Sequence, residues 1–288
     1  MNPMGKFLRK LGKALFIVLG VAVIPGLVMV PWLMENKPVW LRAWLAYWET
    51  PALQSPGHGL SITGPSGRTY AVGQTLHDRL PDGAWGPEMV VLPASEFIQE
   101  WIGDSSRLLL IEHLFAIARY ETTFAEYDRF AEATGRPQPD DRGWGRGRRP
   151  VIHVSFTDAL AYTEWLSAQT DATYRLPTEQ EWEYAARVGA ATAFAFGSRI
   201  STHQANFKGA EWRRQTAPVG QYPPNGWGLH NLHGNVWEWT TSESGSVLRG
   251  GSWRWTDHSL EFGSRLQSGR TDDWREDDIG FRVVRTLW

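Results

Sequence analysis

The sequence contains no cysteine. This absence excludes disulfide bonds, thiolate metal sites, iron–sulfur clusters and cysteine nucleophiles. Positive charge is also scarce beyond the first 49 residues, where 23 Lys and Arg face 29 Asp and Glu and give a formal charge of −6. Because sequence-independent affinity for nucleic acid comes from Lys and Arg that neutralise phosphates, we do not expect a nucleic-acid partner.

Tryptophan and glycine are abundant, with 17 and 29 residues among 288. Large rings favour burial, whereas glycine favours turns and irregular backbone. The composition therefore predicts a core of aromatic rings beneath a turn-rich backbone, in which long regular helices do not dominate.

Residues 14–34 form a run of 21 consecutive uncharged, mostly apolar residues. At about 1.5 Å per residue, such a helix crosses a hydrocarbon core of roughly 30 Å. Four basic residues precede the run: Lys6, Arg9, Lys10 and Lys13. We therefore expect a single-pass helix in the inner (cytoplasmic) membrane, with residues 1–13 cytoplasmic and the rest periplasmic or otherwise extracytoplasmic. The following residues offer no small-x-small cleavage site, which disfavours a removable signal peptide.

Residues 35–49 carry tryptophans at helical spacing, Trp40, Trp44 and Trp48. Such a helix suits the headgroup region of the membrane, and it equally suits docking onto the domain's own surface. Pro25 and Pro31 would kink the preceding span and free carbonyl groups that need partners, which indicates an integral-membrane or periplasmic protein partner. Residues 50–67, rich in Pro and Gly, are predicted to be a linker, and the folded domain is expected over residues 68–288.

Three helices are predicted from capping boxes, in which a Ser or Thr is followed three residues later by an acidic residue. The pairs are Thr123 with Glu126, Ser155 with Asp158, and Thr178 with Glu181. The Gly- and Arg-rich segment 140–150 lacks the Lys-Ser/Thr of a phosphate loop, and we expect a mobile basic surface loop. After residue 187 the sequence predicts short strands and long ordered loops.

Four segments resemble the formylglycine-generating, or sulfatase-modifying factor, family, and they follow the family's order. They are MVVLPASEF (89–97), YRLPTEQEWEYAARVG (174–189), GLHNLHGNVWEWT (228–240), and the pair LRGGSW and GFRVVR further on. With the flanking similarity, the resemblance covers roughly residues 68–288. It implies the compact α+β fold related to C-type lectins, which is poor in regular secondary structure.

The segment 231–238 offers oxygen ligands for a metal ion. Asn231 and Glu238 carry side-chain oxygens, and Gly234 permits a tight turn that exposes carbonyl groups, an all-oxygen set that suits Ca²⁺. The resemblance implies a structural calcium held here by the side chains of Asn231 and Glu238 and by the carbonyls of Gly234 and Val236. The alternative is that Asn231 and Glu238 cap turns without an ion.

A second calcium site is implied by the resemblance at Asn206 and the carbonyl of Phe207. It is incomplete in the sequence, because the Asp that the family supplies falls in a loop shortened here to KGAEWRRQ. His230 and His233 are three residues apart, but a pair without a third ligand is weak evidence for a transition metal. We expect them to be neutral surface or turn histidines.

In the generating enzymes of this family, two cysteines after the RGGS segment bind copper and activate oxygen. Those positions correspond here to Trp255 and Leu260, and the chain has no cysteine to replace them. Formylglycine generation is therefore excluded for this chain, and copper is not expected. Some relatives without the cysteines are oxidative maturation enzymes, including one that acts in pyoverdine maturation. Others bind non-haem iron through a His-rich helical domain that has no counterpart in this sequence.

Six residues near the vacated positions are candidates for a ligand cleft: Arg249, Trp253, Arg254, Trp255, His258 and Arg265. They could stack a planar ligand and hold a carboxylate or phosphate. The alternative, which we favour, is that the aromatic residues are core and the arginines pair with acids such as Asp257 and Glu261. His258 is the candidate general base because imidazole titrates near neutrality, but the sequence assigns it no carboxylate partner.

Three functions are compatible with these features. The leading one is a membrane-anchored extracytoplasmic accessory or binding protein, stabilised by calcium, that acts as an assembly or maturation factor. The first alternative is a cysteine-independent oxidoreductase acting on a periplasmic substrate. The second is a structural subunit of an integral-membrane complex. Fold analogy alone does not choose among them, because function resides in the site.

Overall fold

The computed structural model describes residues 61–64, 67–100, 106–188, 190, 192–267 and 272–287. Three α-helices lie among them, α1 (Phe124–Thr134), α2 (Phe156–Ala168) and α3 (Glu179–Arg187). The same residues include one 3₁₀ helix (Asp257–Leu260) and thirteen short strands. The strands are β1 (Ser61–Thr63), β2 (Thr69–Ala71), β3 (Thr75–Leu76), β4 (Met89–Leu92), β5 (Ser95–Glu100), β6 (Ser106–Ile111), β7 (Phe115–Ala118), β8 (Tyr174–Arg175), β9 (Trp237–Ser242), β10 (Gly245–Arg249), β11 (Arg265–Gln267), β12 (Ile279–Gly280) and β13 (Val284–Thr286). This mixed content with few helices confirms the predicted α+β class.

The first described strand lies inside the segment predicted to be a linker. Strand β1 pairs antiparallel with β2, and the hydroxyls of Thr63 and Thr69 lie 2.9 Å apart. The β-branched side chains of Ile62, Thr63 and Thr69 favour paired strands over a free linker. The folded part therefore begins before residue 68, where the sequence had placed its boundary.

The predicted membrane span, residues 14–34, and the predicted tryptophan-striped helix, residues 35–49, lie outside the described residues and stay predictions. Within the described ranges, no helix has both the length and the apolar character that a membrane crossing requires.

All three predicted capping boxes form. Thr123 Oγ1 accepts a hydrogen bond from the Glu126 amide, and the Glu126 carboxylate accepts one of 2.7 Å from the Thr123 amide. Ser155 with Asp158 and Thr178 with Glu181 repeat this reciprocal arrangement at α2 and α3. Each box satisfies two amide groups that the helix itself leaves without partners, so the signal is local and can be read from sequence.

The larger sheet has five strands in the order β3-β4-β7-β13-β8, and every neighbouring pair is antiparallel. Met89 and Val91 of β4 face a core cluster shared with α1 and α2, whereas Val90 and Leu92 face a second cluster shared with α3. Both faces of the sheet are thus covered, which is why all four residues of β4 are buried.

The smaller sheet has the order β11-β10-β9-β12, with β9 antiparallel to β10 and parallel to β12. Strand β9 begins at Trp237, within the predicted calcium segment, and β10 ends at Arg249, the first of the cleft candidates. Arg249 is the cross-strand partner of Glu238. This sheet therefore brings the two regions singled out in the sequence next to each other.

The core between the sheets and the first two helices is built from aromatic rings, as the composition predicted. Tyr162 stacks on Tyr127 with ring centres 6.0 Å apart and meets Phe281 edge-on at 5.4 Å. Trp239 is fully buried, and its indole N–H donates to the carbonyl of Val154 at 3.1 Å. Such ring pairs stabilise a fold beyond the apolar area they bury, by about 0.5–1.5 kcal/mol each.

Candidate functional site

The segment 231–238 is a chain of tight turns. Asn231, Gly234 and Asn235 all take positive φ angles, 57°, 78° and 67°. A β-carbon on Gly234 would lie 2.3 Å from the carbonyl oxygen of Asn206, so the backbone approach itself requires glycine. The amide of Asn235 donates to the same Asn206 carbonyl at 2.8 Å. Asparagine tolerates the left-handed conformation better than most residues, which explains the local composition.

Glu238 is fully buried and paired with Arg282. The Arg282 guanidinium donates from Nε and Nη2 to the two carboxylate oxygens, both at 2.7 Å. The indole N–H of Trp182 donates to one of these oxygens at 2.6 Å. Arg282 is itself fully buried and donates further to the carbonyls of Ala118 and His230. This bidentate, fully hydrogen-bonded geometry is what allows the two charges to be buried together.

A second buried carboxylate, Glu121, completes the group that we call the Glu238 network, formed by Glu121, Trp182, Asn231, Asn235, Glu238 and Arg282. The amide groups of Asn231 and Asn235 donate to the two Glu121 oxygens at 3.0 and 2.8 Å. Burial raises the pKa of the Glu121 carboxyl to about 7; the charge of Arg282 opposes this shift and that of Glu238 adds to it. Glu121 carries no sequence signal beyond its place just before a helix cap, because its asparagine partners lie more than 100 residues away.

Calcium can be tested against this geometry. The side-chain oxygen of Asn231 is buried without a hydrogen-bond partner among the described residues. A buried oxygen of this kind is suited to coordinating a cation. The Glu238 carboxylate, in contrast, already holds Arg282 and Trp182. Nowhere in the described ranges do three His, Asp or Glu side chains converge on one point. The predicted set therefore fits in part, through the side-chain oxygen of Asn231.

The residues predicted for a second calcium have structural partners. The Asn206 side-chain amide donates to the carbonyl of Gln215 at 2.9 Å and to the Asn235 side chain at 3.1 Å. Phe207 is buried in a small apolar cluster with Phe194, Ala205 and Leu260. Asn206 thus ties its loop to the turns of segment 231–238, and the second ion stays a prediction.

Both histidines beside the segment are held as neutral groups. In His233, Nδ1 lies 2.7 Å from the Leu260 carbonyl, and Nε2 accepts a hydrogen bond from the Ala195 amide at 3.1 Å. Both ring nitrogens therefore have hydrogen-bond partners. Burial lowers the pKa of His233 to about 4, so the ring is uncharged near neutrality. His230 lies 2.8 Å from the Tyr222 carbonyl through Nδ1, and burial lowers its pKa as well.

Two different side chains fill the positions at which the family's enzymes carry cysteine. Trp255 remains 42% exposed, lies edge-on to Trp237 at 6.0 Å, and donates its indole N–H to Asp278 at 3.3 Å. Leu260 is fully buried in the apolar cluster around Phe207. One vacated position has therefore become surface and the other has become core.

The six cleft candidates do not share one set of contacts. Arg249 is buried and paired with Glu179 and Glu183 of α3 at 3.1 and 2.6 Å, and Arg265 pairs with the same Glu179 at 3.0 Å. These arginines do pair with acidic residues, as the favoured interpretation of the sequence expects. The acids are different from Asp257 and Glu261 because α3 packs beneath β10, a contact that local sequence does not reveal.

Trp253, Arg254 and Trp255 belong to a second group. Arg254 forms an ion pair with Asp277, and Arg142 forms a second one with the same carboxylate at 3.5 Å. His258 belongs to neither group: its side chain is 86% exposed and lies 3.5 Å from Glu261. An exposed histidine of this kind lacks the sheltered contact that a general base needs, so the structure gives it no catalytic setting.

Tryptophans from three loops meet around the buried Trp253. Trp212 stacks on Trp253 with ring centres 6.3 Å apart and donates its indole N–H to the Trp253 carbonyl at 2.7 Å. Trp144 meets Trp253 edge-on at 5.5 Å. The adjoining amide of Lys208 donates to the Trp255 carbonyl at 2.8 Å. We call Trp144, Trp212, Trp255 and Arg254 the tryptophan face.

The fold is that of a known class. The solved structure of PvdO from Pseudomonas aeruginosa matches 76% of this chain and 100% of its own, with a TM-score of 0.66 and 30% identity. A structure of Treponema denticola variable protein 1 matches with a TM-score of 0.59 at 22% identity, which supports the fold alone. Residues 77–287 match the family model of the sulfatase-modifying factor enzyme 1-like domain. The chain belongs to this family, and the resemblance found in its four segments is confirmed.

Curated relatives include both active and inactive members. The chain is 39% identical over 155 residues to the mouse inactive C-alpha-formylglycine-generating enzyme 2, covering 47% of this chain and 48% of that protein. It is 44% identical over 110 residues to the formylglycine-generating enzyme of Mycobacterium tuberculosis, covering 34% and 35%. The chain spans about half the length or less of these relatives.

Proposed function

We propose that this chain is a non-catalytic member of its family, acting as a membrane-anchored, extracytoplasmic accessory protein that binds a partner through the tryptophan face. The observation that carries the proposal is the filling of the two cysteine positions. Trp255 turns one of them into exposed aromatic surface and Leu260 turns the other into core, while the surrounding fold is kept. A scaffold that keeps its form and loses its reactive groups is suited to binding.

The relatives support this proposal. Similarity to a mouse protein named as an inactive formylglycine-generating enzyme supports the loss of that reaction here. The exposed Trp255 also supports a binding role, since tryptophan and arginine dominate the energetics of protein interfaces. Predicted anchoring by residues 14–34 would place the face beside a membrane, within reach of an integral-membrane or periplasmic partner.

A structural calcium is part of the proposal. Asn231 would hold it by side-chain oxygen, with the carbonyls of Gly234 and Val236, and Glu238 would contribute through the carboxylate that Arg282 holds in place. The ion would give a partner to the buried side-chain oxygen of Asn231. Its role would be to fix the left-handed turns of segment 231–238.

The proposal can be tested by site-specific cross-linking from the full-length chain in its native membrane. The photoreactive substitution Trp255→p-benzoylphenylalanine is compared with the same substitution at Trp85, a matched tryptophan that is 55% exposed on another loop. We expect one discrete cross-linked partner from position 255 and none from position 85. Equal products at both positions would contradict the assignment of the face.

Elemental analysis of the chain purified in mild detergent separates the alternatives. Calcium without redox metal agrees with the binding protein. Bound copper or iron would contradict the proposal and favour the cysteine-independent oxidoreductase. A fixed set of co-purifying integral-membrane subunits, cross-linked from both positions, would instead indicate a structural subunit.

A further inference from the structure

Five cations near the tryptophan face have no acidic partner among the described residues. They are Arg148, Arg149, Lys208, Arg213 and Arg214. Arg149 and Arg213 lie close enough that the charge of Arg213, added to partial burial, lowers the pKa of Arg149. Glu211 lies in the same loop, but its carboxylate faces His203 at 3.9 Å. Arg148 is near enough to Glu126 for its charge to oppose the burial that raises the pKa of that carboxyl, although the two form no ion pair. In the described part of the chain, no ion pair neutralises Lys208, Arg213 or Arg214.

Two of these cations contact a ring of the tryptophan face. Lys208 Nζ lies 5.3 Å and the Arg214 guanidinium 4.9 Å from the centre of the Trp212 ring. The loop that carries them is joined to the loop of Arg148 and Arg149 by backbone and side-chain bonds, including Val219 amide to Arg148 carbonyl at 2.8 Å. Lys208 and Arg214 thus border the Trp212 ring, and the loop of Arg148 and Arg149 adjoins theirs.

Several arginines elsewhere in the described structure have acidic partners, although the exposed Arg68, Arg79 and Arg199 form no ion pair there. Arg119 pairs with Glu88 at 2.8 Å, Arg175 with Glu181 at 2.6 Å, and Arg275 with Asp158 at 2.8 Å. The chain beyond residue 49 has more acidic than basic residues, so acidic partners are plentiful. A cluster of cations without them, in an otherwise acidic domain, creates a local field that attracts negative charge.

We propose that the tryptophan face and the five unpaired cations form the docking surface for an acidic polypeptide segment in which carboxylates alternate with apolar or aromatic side chains. This inference rests on the proposed binding function and names the chemistry of the partner. Guanidinium groups match carboxylates through paired hydrogen bonds, and the indole rings offer apolar area between them. Trp and Arg together are the side chains that dominate protein–protein contacts, which favours a polypeptide over an anionic saccharide.

The probe for this inference is a soluble random copolymer of glutamate and tyrosine, added to the full-length chain in neutral detergent. Binding is followed by calorimetry and by tryptophan fluorescence, with polyglutamate and heparin as comparison ligands. We expect the copolymer to bind more tightly than either. We also expect the affinity to fall as salt is raised from about 50 mM to about 500 mM, because screening weakens exposed charge pairs.

The decisive variant is the triple charge reversal Lys208→Glu, Arg213→Glu and Arg214→Glu. It should weaken copolymer binding roughly tenfold or more. Its matched control is Arg68→Glu, Arg79→Glu and Arg199→Glu, which changes net charge equally at exposed sites outside the face and should leave the affinity within about twofold. If the reversal unfolds the chain, the corresponding glutamine substitutions and Trp255→Ala supply the same test.

Three results would overturn the inference: no binding of the copolymer, equal weakening by the control triple, or tighter binding of heparin. The failure of the proposed function is distinguishable from these. If cross-linking from position 255 yields a partner while the copolymer does not bind, the binding role stands and the partner is not acidic. If the purified chain holds copper or iron, the binding role itself falls.

Discussion

The Glu238 network and the tryptophan face differ in the burial and the pairing of their charged side chains. In the network, Glu238 and Arg282 are buried and held by paired hydrogen bonds, and Glu121 is satisfied by two asparagines. At the face, Arg254 pairs with Asp277, whereas Lys208 and Arg214 lie over the Trp212 ring and form no ion pair with a described acid. Buried charges make the network intolerant of change, whereas exposed charges such as Lys208 and Arg214 contribute little to folding.

The largest effect should come from removing the network's cation. Arg282→Met leaves Glu238 and Glu121 buried without compensation and should lower the free energy of unfolding by about 3–5 kcal/mol. Arg275→Met is the matched control, because the Arg275 side chain is 42% exposed where it pairs with Asp158 and its loss should cost only about 0–1 kcal/mol. Urea denaturation measures both. Similar losses in the two variants would show that removing one partner of the buried pair costs no more than removing one partner of an exposed pair.

The two former cysteine positions should respond unequally to truncation. Leu260→Ala opens a cavity in a fully buried cluster and should cost about 2–5 kcal/mol. Trp255→Ala removes a 42% exposed ring and should cost clearly less, although it should weaken binding of the glutamate–tyrosine copolymer. Thermal and chemical unfolding measure the costs. A larger loss from Trp255 would mean that this tryptophan is primarily a core residue.

Glycines in the two regions offer a third contrast. Gly234→Ala places a β-carbon 2.3 Å from a backbone carbonyl at positive φ and should destabilise by about 1–3 kcal/mol or more. Gly145 also has a positive φ, 92°, but a β-carbon there meets nothing within 4 Å. Gly145→Ala should therefore cost about 1 kcal/mol, from backbone strain alone. Equal unfolding midpoints for the two variants would disprove the steric argument.

Calcium should have the smallest of these effects. At roughly tenfold its dissociation constant, a bound ion adds about 1.4 kcal/mol to the free energy of unfolding, and a chelator should remove this increment. Asn231→Ala should abolish the difference between chelated and calcium-loaded protein, whatever its own stability. Magnesium, which demands stricter octahedral geometry, should not restore it. An unchanged calcium effect in the variant would exclude Asn231 as a ligand.

Local signals predicted well, and long-range partners did not. The capping boxes of Thr123, Ser155 and Thr178 were predictable because both partners lie within three residues. The turns of segment 231–238 were likewise indicated by Asn and Gly. In contrast, the pairing of Arg249 with Glu179 and Glu183 depends on α3 packing against β10, which no local pattern encodes.

The family resemblance indicated the fold and the two positions without cysteine, but it did not indicate whether the side chains at those positions are buried or exposed. Trp255 and Leu260 are both large and apolar, and only the structure separates an exposed ring from a buried side chain. Loop residues Trp144 and Trp212 were missed as site residues, because three loops must fold before their rings meet around Trp253.

Strand β13 has a consequence for the order in which the chain can fold. It lies between β7 and β8, and Val284 pairs with both Ile117 and Arg175. Until residues 284–286 have left the ribosome, β7 and β8 present open edges that other chains can pair with. The central sheet can therefore close only after this strand has been synthesised, through non-local pairing that forms more slowly than local contacts.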